Sequence, residues 1–374
     1  PEEWDFVRLE DVCSIRKNRK TSIPDRVAVI PMEEIPEDGI YTGFIVRKKE
    51  DVKSGVCCRT GDILLARITP SFENGKQGIV PETPSNIAIA TTEVFPIVCK
   101  ESIDAFFLFH NLKRPLVRNI LASRMTGSTG RQRIPLKVVE LFQIPLPPLI
   151  EQRKIAFILS TVDEVIQKTD AIIEKAEMLK RGLMQRLLTR GVGHTRFKQT
   201  EMGEIPEEWE IVKFKDICKV RQGLQIAIKN RLKEPCENCY KYITIQFLNK
   251  KKEVEYIKNP KKSVICTKDD ILLTRTGNTG VVVTNQEGVF HNNFFLIDYN
   301  RKIIDKNYLI YYLNLSKIQQ TIRIKAGSTT IPDLNHNDFY SIHFIKPPLS
   351  EQQKIASVLS SVEDKIIVEQ QKKA

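Results

Sequence analysis

Residues 147–190 read PPLIEQRKIAFILSTVDEVIQKTDAIIEKAEMLKRGLMQRLLTR, and the opening of this segment occurs twice in the chain. Residues 347–373 read PPLSEQQKIASVLSSVEDKIIVEQQKK. Ten of the first fourteen residues are identical between the two copies, at a constant offset of 200 positions. A fixed offset of this kind indicates an internal repeat, so the residues that precede each copy should form two matching domains.

Each copy has the apolar spacing of a long amphipathic helix. Apolar residues of the first copy alternate at steps of four and three, with Gly191 and Gly193 after its end. About 40 helical residues at about 1.5 Å each give a rod of about 60 Å, which needs a partner for its apolar face. We expect the copies to pack as an antiparallel, pseudo-two-fold, intramolecular coiled coil with a domain at each end. The residues assigned to it are Ile155, Leu159, Val162, Ile166, Ile173, Leu183, Ile355, Leu359, Val362 and Ile366.

The alternative is that the two copies are ordinary core helices of separate domains. The length of the first copy and its sustained heptad pattern favour the coiled coil. The second copy stops at Ala374, 16 residues before the position equivalent to Arg190. We therefore expect the far end of the rod to be truncated, or completed by another segment.

Composition narrows the class of protein. The chain has 374 residues, 41% hydrophobic and 28% charged, which is typical of a soluble globular protein with two cores. An apolar run of about 18 residues and an N-terminal signal segment are both missing, so we expect a cytoplasmic protein, although a leader should precede Pro1. A net charge of +12 makes a polyanion the leading class of partner.

The residues before the two helices also match. PEEWDFVRLEDVC (1–13) corresponds to PEEWEIVKFKDIC (206–218), with the two tryptophans Trp4 and Trp209 at matched positions as apolar anchors. We therefore predict an α+β fold with two similar mixed α/β domains separated by two long helices. The predicted segments are a first domain (1–146), a central helix (147–194), a linker with the second domain (195–346) and a truncated distal helix (347–374).

Within each domain, a buried strand delivers an arginine and a polar loop. GDILLAR (61–67) corresponds to DDILLTR (269–275), and glycine-bearing polar residues follow each. Loops positioned by a rigid strand are common places for recognition, although each arginine could instead pair with a local carboxylate. The candidates from these loops are Arg67, Thr69, Lys76, Gln77, Arg275, Thr276, Asn278 and Thr279.

A helical stretch with clustered aromatic residues comes next in each domain, and we expect those aromatics in the core. A basic segment with a Gly-Ser-Thr loop follows, at 127–129 and 327–329. Arginine, lysine and hydroxyl side chains beside glycine suit phosphates and base edges. The first loop has GRQR (130–133) where the second has one threonine before its Ile-Pro pair, so we count three extra residues that give the two domains different reading surfaces. The candidates are Ser128, Thr129, Arg131, Gln132, Arg133, Arg323, Lys325, Ser328, Thr329 and Thr330.

Motifs for metal binding and catalysis are weak. Cys236 and Cys239 resemble half of a zinc site, but no second pair accompanies them, so we interpret the eight cysteines as reduced, small apolar residues and predict no metal. The sequence lacks a phosphate-binding G-x-x-x-x-G-K-[ST] loop and a glycine-rich cofactor turn. Asp333 with Glu363, Asp364 and Lys365 superficially resembles a nuclease pattern, but the last three lie within the heptad helix and face different directions. We predict no catalytic residue.

The order of these motifs resembles the DNA-specificity subunit of type I restriction–modification systems. The resemblance rests on PPL-x-EQ-x-KIA at both helices, TEMGEIPEEW at 200–209 and the D-ILL-x-R strands, and it covers nearly the whole chain. It implies two target recognition domains joined by spacer helices, without catalysis or cofactor in this chain. It also implies docking of methyltransferase subunits that use S-adenosylmethionine and, through them, of restriction subunits driven by ATP with magnesium. The short distal helix and the missing leader depart from the family pattern.

The residues and the resemblance give the same expected function. Each domain would read one half of a split site on double-stranded DNA, and the helices would set the gap. Two other classes stay open: a self-sufficient nuclease or methyltransferase, and a coiled-coil scaffold that binds only proteins. Turnover without other subunits would identify the first, and DNA affinity that is absent or insensitive to salt would identify the second.

Overall fold

The computed structural model describes residues 4–16, 24–249, 253–327 and 331–373, and divides the chain into two compact units, Pro1–Ala171 and Ile172–Ala374. The first described elements of unit 1 are a short strand and one helical turn that directly follows it. Its strands are β1 (Asp5–Arg8), β2 (Cys13–Ile15), β3 (Arg26–Ile30), β4 (Ile45–Lys48), β5 (Val56–Cys58), β6 (Ile63–Ala66), β7 (Gln77–Ile79), β8 (Ala88–Ala90), β9 (Val94–Cys99), β10 (Thr126–Ser128), β11 (Arg131–Arg133) and β12 (Gln143–Leu146). Its helices are α1 (Leu9–Val12), α2 (Ala105–Lys113), α3 (Pro115–Ala122), α4 (Leu136–Glu140) and α5 (Leu149–Arg190), of which α5 continues into unit 2.

Unit 2 repeats this plan after an additional hairpin. Its strands are β13 (Phe197–Thr200), β14 (Gly203–Pro206), β15 (Glu210–Lys213), β16 (Cys218–Gln222), β17 (Cys239–Ile243), β18 (Tyr256–Lys258), β19 (Ile265–Cys266), β20 (Ile271–Thr274), β21 (Val282–Val283), β22 (Gly288–Phe290), β23 (Phe294–Tyr299) and β24 (His343–Lys346). Its helices are α6 (Phe214–Ile217), α7 (Ile245–Leu248), α8 (Lys306–Leu313), α9 (Ser316–Ala326), α10 (His336–Tyr340) and α11 (Leu349–Lys373).

Both units have the same two sheets. In unit 1 the antiparallel sheet has the order β2-β9-β6-β7, and the mixed sheet has the order β4-β3-β8-β5 with β3 and β8 parallel. In unit 2 the corresponding orders are β16-β23-β20-β21 and β18-β17-β22-β19, with β17 and β22 parallel. The strand order confirms that the two domains are copies of one mixed α/β fold. The first and last strands of each domain also pair, β1 with β12 and β15 with β24.

The run Ile63–Leu65 is apolar because β6 is buried on both faces. Ile63 and Leu65 join one core with Phe107 and Phe109 of α2, whereas Leu64 points to the core under the mixed sheet. In unit 2 the corresponding strand, β20, divides its side chains between two cores in the same way. The aromatic residues of α2 and α8 therefore belong mainly to the core, as predicted.

The repeated Glu-Gln pair explains why the two helices begin with the same motif. Gln152 is 1% exposed and Gln352 is fully buried. The Gln152 side chain accepts a hydrogen bond from the Asp104 backbone at 2.9 Å and donates to the carbonyls of Ser102 and Pro147. Each glutamine amide thus joins its helix to the backbone immediately before α2 or α8. The corresponding partners of Gln352 are Asp305, Ile303 and Pro347.

The preceding glutamate makes the second contact at each joint. Glu151 accepts a hydrogen bond from the indole of Trp4 at 3.2 Å, and Glu351 accepts one from Trp209 at 2.9 Å. Trp209 is fully buried, so the predicted anchoring role is confirmed for this residue. Each tryptophan is therefore also a polar link between the start of its domain and the helix that follows.

Within unit 2, the end of α5 packs antiparallel to α11. The Lys180 ammonium donates a hydrogen bond to Glu363 at 2.7 Å, and the Val192 backbone N–H donates one to Glu351 at 3.2 Å. The contact with the higher residue number in the first segment has the lower residue number in α11, so the two segments run in opposite directions. Leu187 and Leu359 share one core there. The predicted antiparallel packing is confirmed for this pair of segments.

The coiled-coil residues of unit 1 differ from their counterparts on α11, and the prediction of a buried seam is wrong there. Leu159 is 42% exposed, whereas Leu359 is fully buried. Val162 is 50% exposed, whereas Val362 is half-buried. The difference arises because the segment of α5 in unit 2 covers α11, while no described segment of unit 1 covers this face. The other predicted seam residues are buried, for Ile355 and Ile366, or half-buried, for Ile155, Ile166, Ile173 and Leu183.

None of the described helices has the length and apolar character needed to cross a membrane.

The buried amide predicts a large and local effect on stability. In Gln352→Met, three backbone groups lose their hydrogen-bond partner, at about 1–3 kcal/mol each. We expect the free energy of unfolding of unit 2 to fall by about 3 kcal/mol. The measurement is urea unfolding followed by Trp209 fluorescence in a Trp4→Phe background. Gln353→Met, at the exposed neighbouring position, is the control and should unfold like the parent; equal destabilisation by both substitutions would contradict the role of the amide.

Candidate nucleic-acid interface

The predicted Gly-Ser-Thr loop of unit 1 is the tip of a β-hairpin. Strands β10 and β11 pair antiparallel, with Ser128 opposite Arg131, and both residues are exposed. Gly127 has a φ of 133°, and a Cβ there would lie 2.8 Å from the Arg131 carbonyl oxygen, so this position requires glycine. The hairpin presents hydroxyl and guanidinium groups to solvent with few partners inside the protein. Thr129 is also exposed, at the turn.

The base of the hairpin is held by the end of β6. The Thr69 hydroxyl donates to the Gln132 carbonyl and accepts from the Gln132 backbone N–H. The Arg67 carbonyl accepts from the backbone of Ile134 at 2.9 Å. Thr69 therefore positions the hairpin from its strand-end loop, and its hydroxyl is already occupied.

At the base of the hairpin, the charges of three arginines act on one carboxylate, Glu93. Arg133 makes a two-pronged ion pair with Glu93, at 2.9 and 2.7 Å. The hydrogen bond from Arg133 lowers the pKa of Glu93, and the charges of Arg133, Arg67 and Arg131 act in the same direction against desolvation. The Arg67 guanidinium lies 4.7 Å from the centre of the Phe95 ring. The local charge is therefore positive after the ion pair is formed.

Unit 2 has the same backbone frame with different charges. The Arg275 guanidinium lies 5.2 Å from the centre of the Phe295 ring, and the Arg275 carbonyl accepts from Leu334 at 2.8 Å. Arg275 donates to the Asp333 carboxylate at 2.6 Å, and Thr276 donates to its other oxygen at 2.6 Å. The alternative that this arginine pairs with a local carboxylate is correct in unit 2.

These backbone hydrogen bonds correct the predicted loop alignment. Ile134 and Leu334 bond to equivalent carbonyls, so Arg133 corresponds to Asp333 at the constant offset of 200. The Ile-Pro pairs of the two loops are not equivalent, and the three extra residues expected in the first loop do not exist. The two segments have equal length and differ by substitution alone: Arg131-Gln132-Arg133 stands where unit 2 has Ile331-Pro332-Asp333.

Several candidates have partners or positions inside the protein, and we do not retain them as contacts. Gln77 is 1% exposed and donates to the Phe109 carbonyl, and Thr279 is 7% exposed. The Lys76 ammonium donates to two backbone carbonyls of the loop 32–35. Sequence patterns could not show these contacts, because the partners of Gln77 and Lys76 are distant in the chain.

The remaining candidates are more accessible. Asn278 and Arg323 are exposed, and Lys325 is half-buried. Ser328, Thr329 and Thr330 lie outside the described residues. We did not identify Glu93 and Asp333 as site residues from the sequence. A repeat alignment with no gap places Asp333 opposite Arg133 and would have shown this change of charge.

The cysteines follow the prediction in part. Cys13 and Cys218 are buried at equivalent positions, as are Cys58 and Cys266. Cys236, which is exposed in a loop, and Cys239, which is half-buried at the start of β17, form a disulfide, so the prediction that they are reduced is wrong. Among the described residues, no cluster of three or more histidine, cysteine or acidic side chains could hold a metal ion.

Comparison with known proteins identifies the family. The family described as "Type I restriction modification DNA specificity domain" matches residues 1–178 and 206–374. The chain belongs to this family. Its two matches coincide with the two copies of the domain and helix. Specificity subunits of type I restriction–modification systems are non-catalytic DNA-recognition subunits, and this chain is one of them.

Individual relatives agree with this assignment. The MjaVIII specificity subunit of Methanocaldococcus jannaschii is 27% identical over 403 residues, covering 100% of this chain and 89% of the relative. The EcoAI specificity subunit of Escherichia coli is 32% identical over 195 residues, covering 49% of this chain and 33% of the relative. The solved structure of the type I restriction–modification S subunit from M. genitalium aligns with a TM-score of 0.64 at 14% identity, over 99% of this chain and 92% of that one, which supports the fold.

The cysteines of this specificity subunit should differ in reactivity. Burial raises the pKa of Cys13 and Cys218 to about 12, so few thiolates form there. After reduction at mildly alkaline pH, iodoacetamide should modify Cys236 and Cys239 first, as measured by mass spectrometry of peptides. Urea should remove the difference and serves as the control. Modification of Cys218 in the folded protein as fast as Cys236 would contradict the prediction.

Proposed function

We propose that this specificity subunit reads a two-part DNA site, with one recognition domain for each half. The observation that supports this proposal best is that Ile134 and Leu334 make the same backbone hydrogen bond to the strand-end arginine, while the charged residues beside them differ. Arg133 in unit 1 and Asp333 in unit 2 occupy the same position with opposite charge. Two domains that differ in this way should prefer different base sequences.

The net charge of +12 supports binding to a polyanion. Lysine and arginine neutralise DNA phosphates and release counterions, so the affinity should fall with salt. Base contacts from exposed side chains of the hairpin would then add specificity. The protein-only scaffold, which the sequence left open, does not account for the exposed arginine and hydroxyl groups there.

The family relationship supports partner subunits. We propose that the chain docks methyltransferase subunits that carry S-adenosylmethionine, and through them restriction subunits that use ATP with magnesium. This division of labour agrees with a chain that recognises DNA without catalysis. The chain itself then needs no cofactor, and the cytoplasm, where its DNA substrate lies, is the proposed location.

Exchange of one domain tests the two-part reading. Residues 1–146 would be replaced by the corresponding domain of another specificity subunit, with Glu151 and Gln152 retained to hold it. We expect one half of the preferred site to change and the other half to stay, because each domain has its own core. Selection from random duplex DNA, with the methyltransferase present, measures this. Changes in both halves would argue against independent reading.

Shortening the helices tests whether they set the gap between the half-sites. Removal of residues 173–179 and 364–370, which the antiparallel register places side by side, shortens the pair by about 10.5 Å. The gap should shrink by about 3 base pairs, since ten base pairs span about 34 Å. A variant in which residues 173–179 are replaced by another heptad of equal length is the control. An unchanged gap in the shortened protein would mean that the helices do not act as the spacer.

A further inference from the structure

Unit 1 has an excess of positive charge that unit 2 lacks at the same place. We call Arg67, Arg131 and Arg133 the arginine cluster. Glu93 forms its ion pair with Arg133, and neither Arg67 nor Arg131 has an ion-pair partner in the described part of the chain, so two positive charges remain uncompensated. Two of the three residues come from strand β11, and the third comes from the end of β6. The cluster is therefore fixed by the sheet and the hairpin together.

Arg67 is the half-buried member of the cluster that lacks polar partners. Its side chain makes no hydrogen bond to any residue in the described part of the chain, and its Nε is buried without an acceptor. The Phe95 ring holds the guanidinium in place at 4.7 Å. A half-buried guanidinium without acceptors is costly, because water cannot fully replace them. The two terminal nitrogens are not buried in this way, so they can donate to an incoming oxygen acceptor.

Arg131 gives the cluster an exposed cation. It lies at the start of β11, and its side chain forms no ion pair within the described part of the chain. It lies two residues before Arg133, and the backbone between them and beyond bonds to Thr69 and Arg67, so the frame brings Arg131 near the other two arginines. One accessible cation and one poorly satisfied cation therefore stand side by side.

The equivalent place in unit 2 is neutral. Arg275 has its own carboxylate partner in Asp333, and its Nε donates to the Leu334 carbonyl. The Arg275 side chain is only 13% exposed. Asn293 stands where unit 1 has Glu93, and Ile331 stands where it has Arg131. The Arg275 side chain already donates to acceptors inside the protein, so few of its N–H groups remain to bind a ligand.

We propose that unit 1 holds DNA through the arginine cluster, and that unit 2 does not use the equivalent position. This inference rests on the proposed DNA-reading function and specifies it. The ligand atoms are DNA oxygens or the guanine N7, since a guanidinium binds phosphate or the guanine edge with two hydrogen bonds. The two recognition domains thus share one fold but contact DNA through different residue positions.

The salt dependence of binding tests the proposal with the full chain. The probe is a pool of duplexes that contain the selected site. Arg131→Gln and Arg67→Met should each bind it more weakly than the parent, and each should reduce the magnitude of the slope of log affinity against log salt by about 1. The matched control is Arg275→Gln with Asp333→Asn, which removes the neutral pair of unit 2 and should leave the slope unchanged. Circular dichroism and thermal unfolding establish that each variant is folded; Arg131→Gln alters an exposed side chain without partners and keeps the test valid if Arg67→Met fails to fold.

Reciprocal exchange of the charges is a sharper test. Glu93→Asn with Arg133→Asp gives unit 1 the residues of unit 2, and Arg67 should then pair internally as Arg275 does. The salt slope should fall by about 1. Asn293→Glu with Asp333→Arg gives unit 2 the residues of unit 1 and should raise the slope by about 1.

Site selection distinguishes the two kinds of DNA acceptor. If Arg67 contacts a guanine, Arg67→Met should lose the preference for that base in one half-site only. If it contacts a phosphate, the selected sequence should stay the same while the affinity falls. Both outcomes support the cluster. Unchanged slopes in Arg131→Gln and Arg67→Met, with normal DNA binding by the parent, would overturn this inference alone, whereas a parent that does not bind DNA would overturn the proposed function.

Discussion

A buried glutamine side chain joins each recognition domain to the helix that follows it. Gln152 and Gln352 each bond to three backbone groups. Because two of the three lie immediately before α2 or α8 and the third is the proline carbonyl before the long helix, the amide fixes the helix against the aromatic core. The neighbouring glutamate accepts a hydrogen bond from the tryptophan indole that precedes β1 or β15, which is a second contact between domain and helix.

The joint also explains which parts of the two domains differ. The residues that face DNA in our proposal lie on the hairpin and at the strand ends, and none of them takes part in the contacts at the helix. Arg133 and Asp333 could therefore diverge in charge without loss of the packing between domain and helix. The outcome is one frame with two electrostatic surfaces, which is what a reader of two dissimilar half-sites requires.

The sequence predicted the features that depend on local pattern. The repeat, the two long helices and the buried strands at Ile63–Ala66 and Ile271–Thr274 follow from periodicity and apolar runs. The candidate site was predicted less well, because side-chain partners come from distant parts of the chain. Gln77 is polar but buried under Phe109, and Arg133 meets a glutamate 40 residues upstream. The matching Ile-Pro pairs were also misleading, since only the backbone hydrogen bonds show which positions are equivalent.

The segments that carry these charges have equal length in the two domains. Arg131-Gln132-Arg133 and Ile331-Pro332-Asp333 are related by replacements alone, with no inserted or deleted residue. The next residue, Ile134 or Leu334, makes the same backbone hydrogen bond to its strand in both domains, so this anchor is retained despite the replacements. A change of DNA preference, in our proposal, therefore requires new side chains at these positions and not a loop of different length.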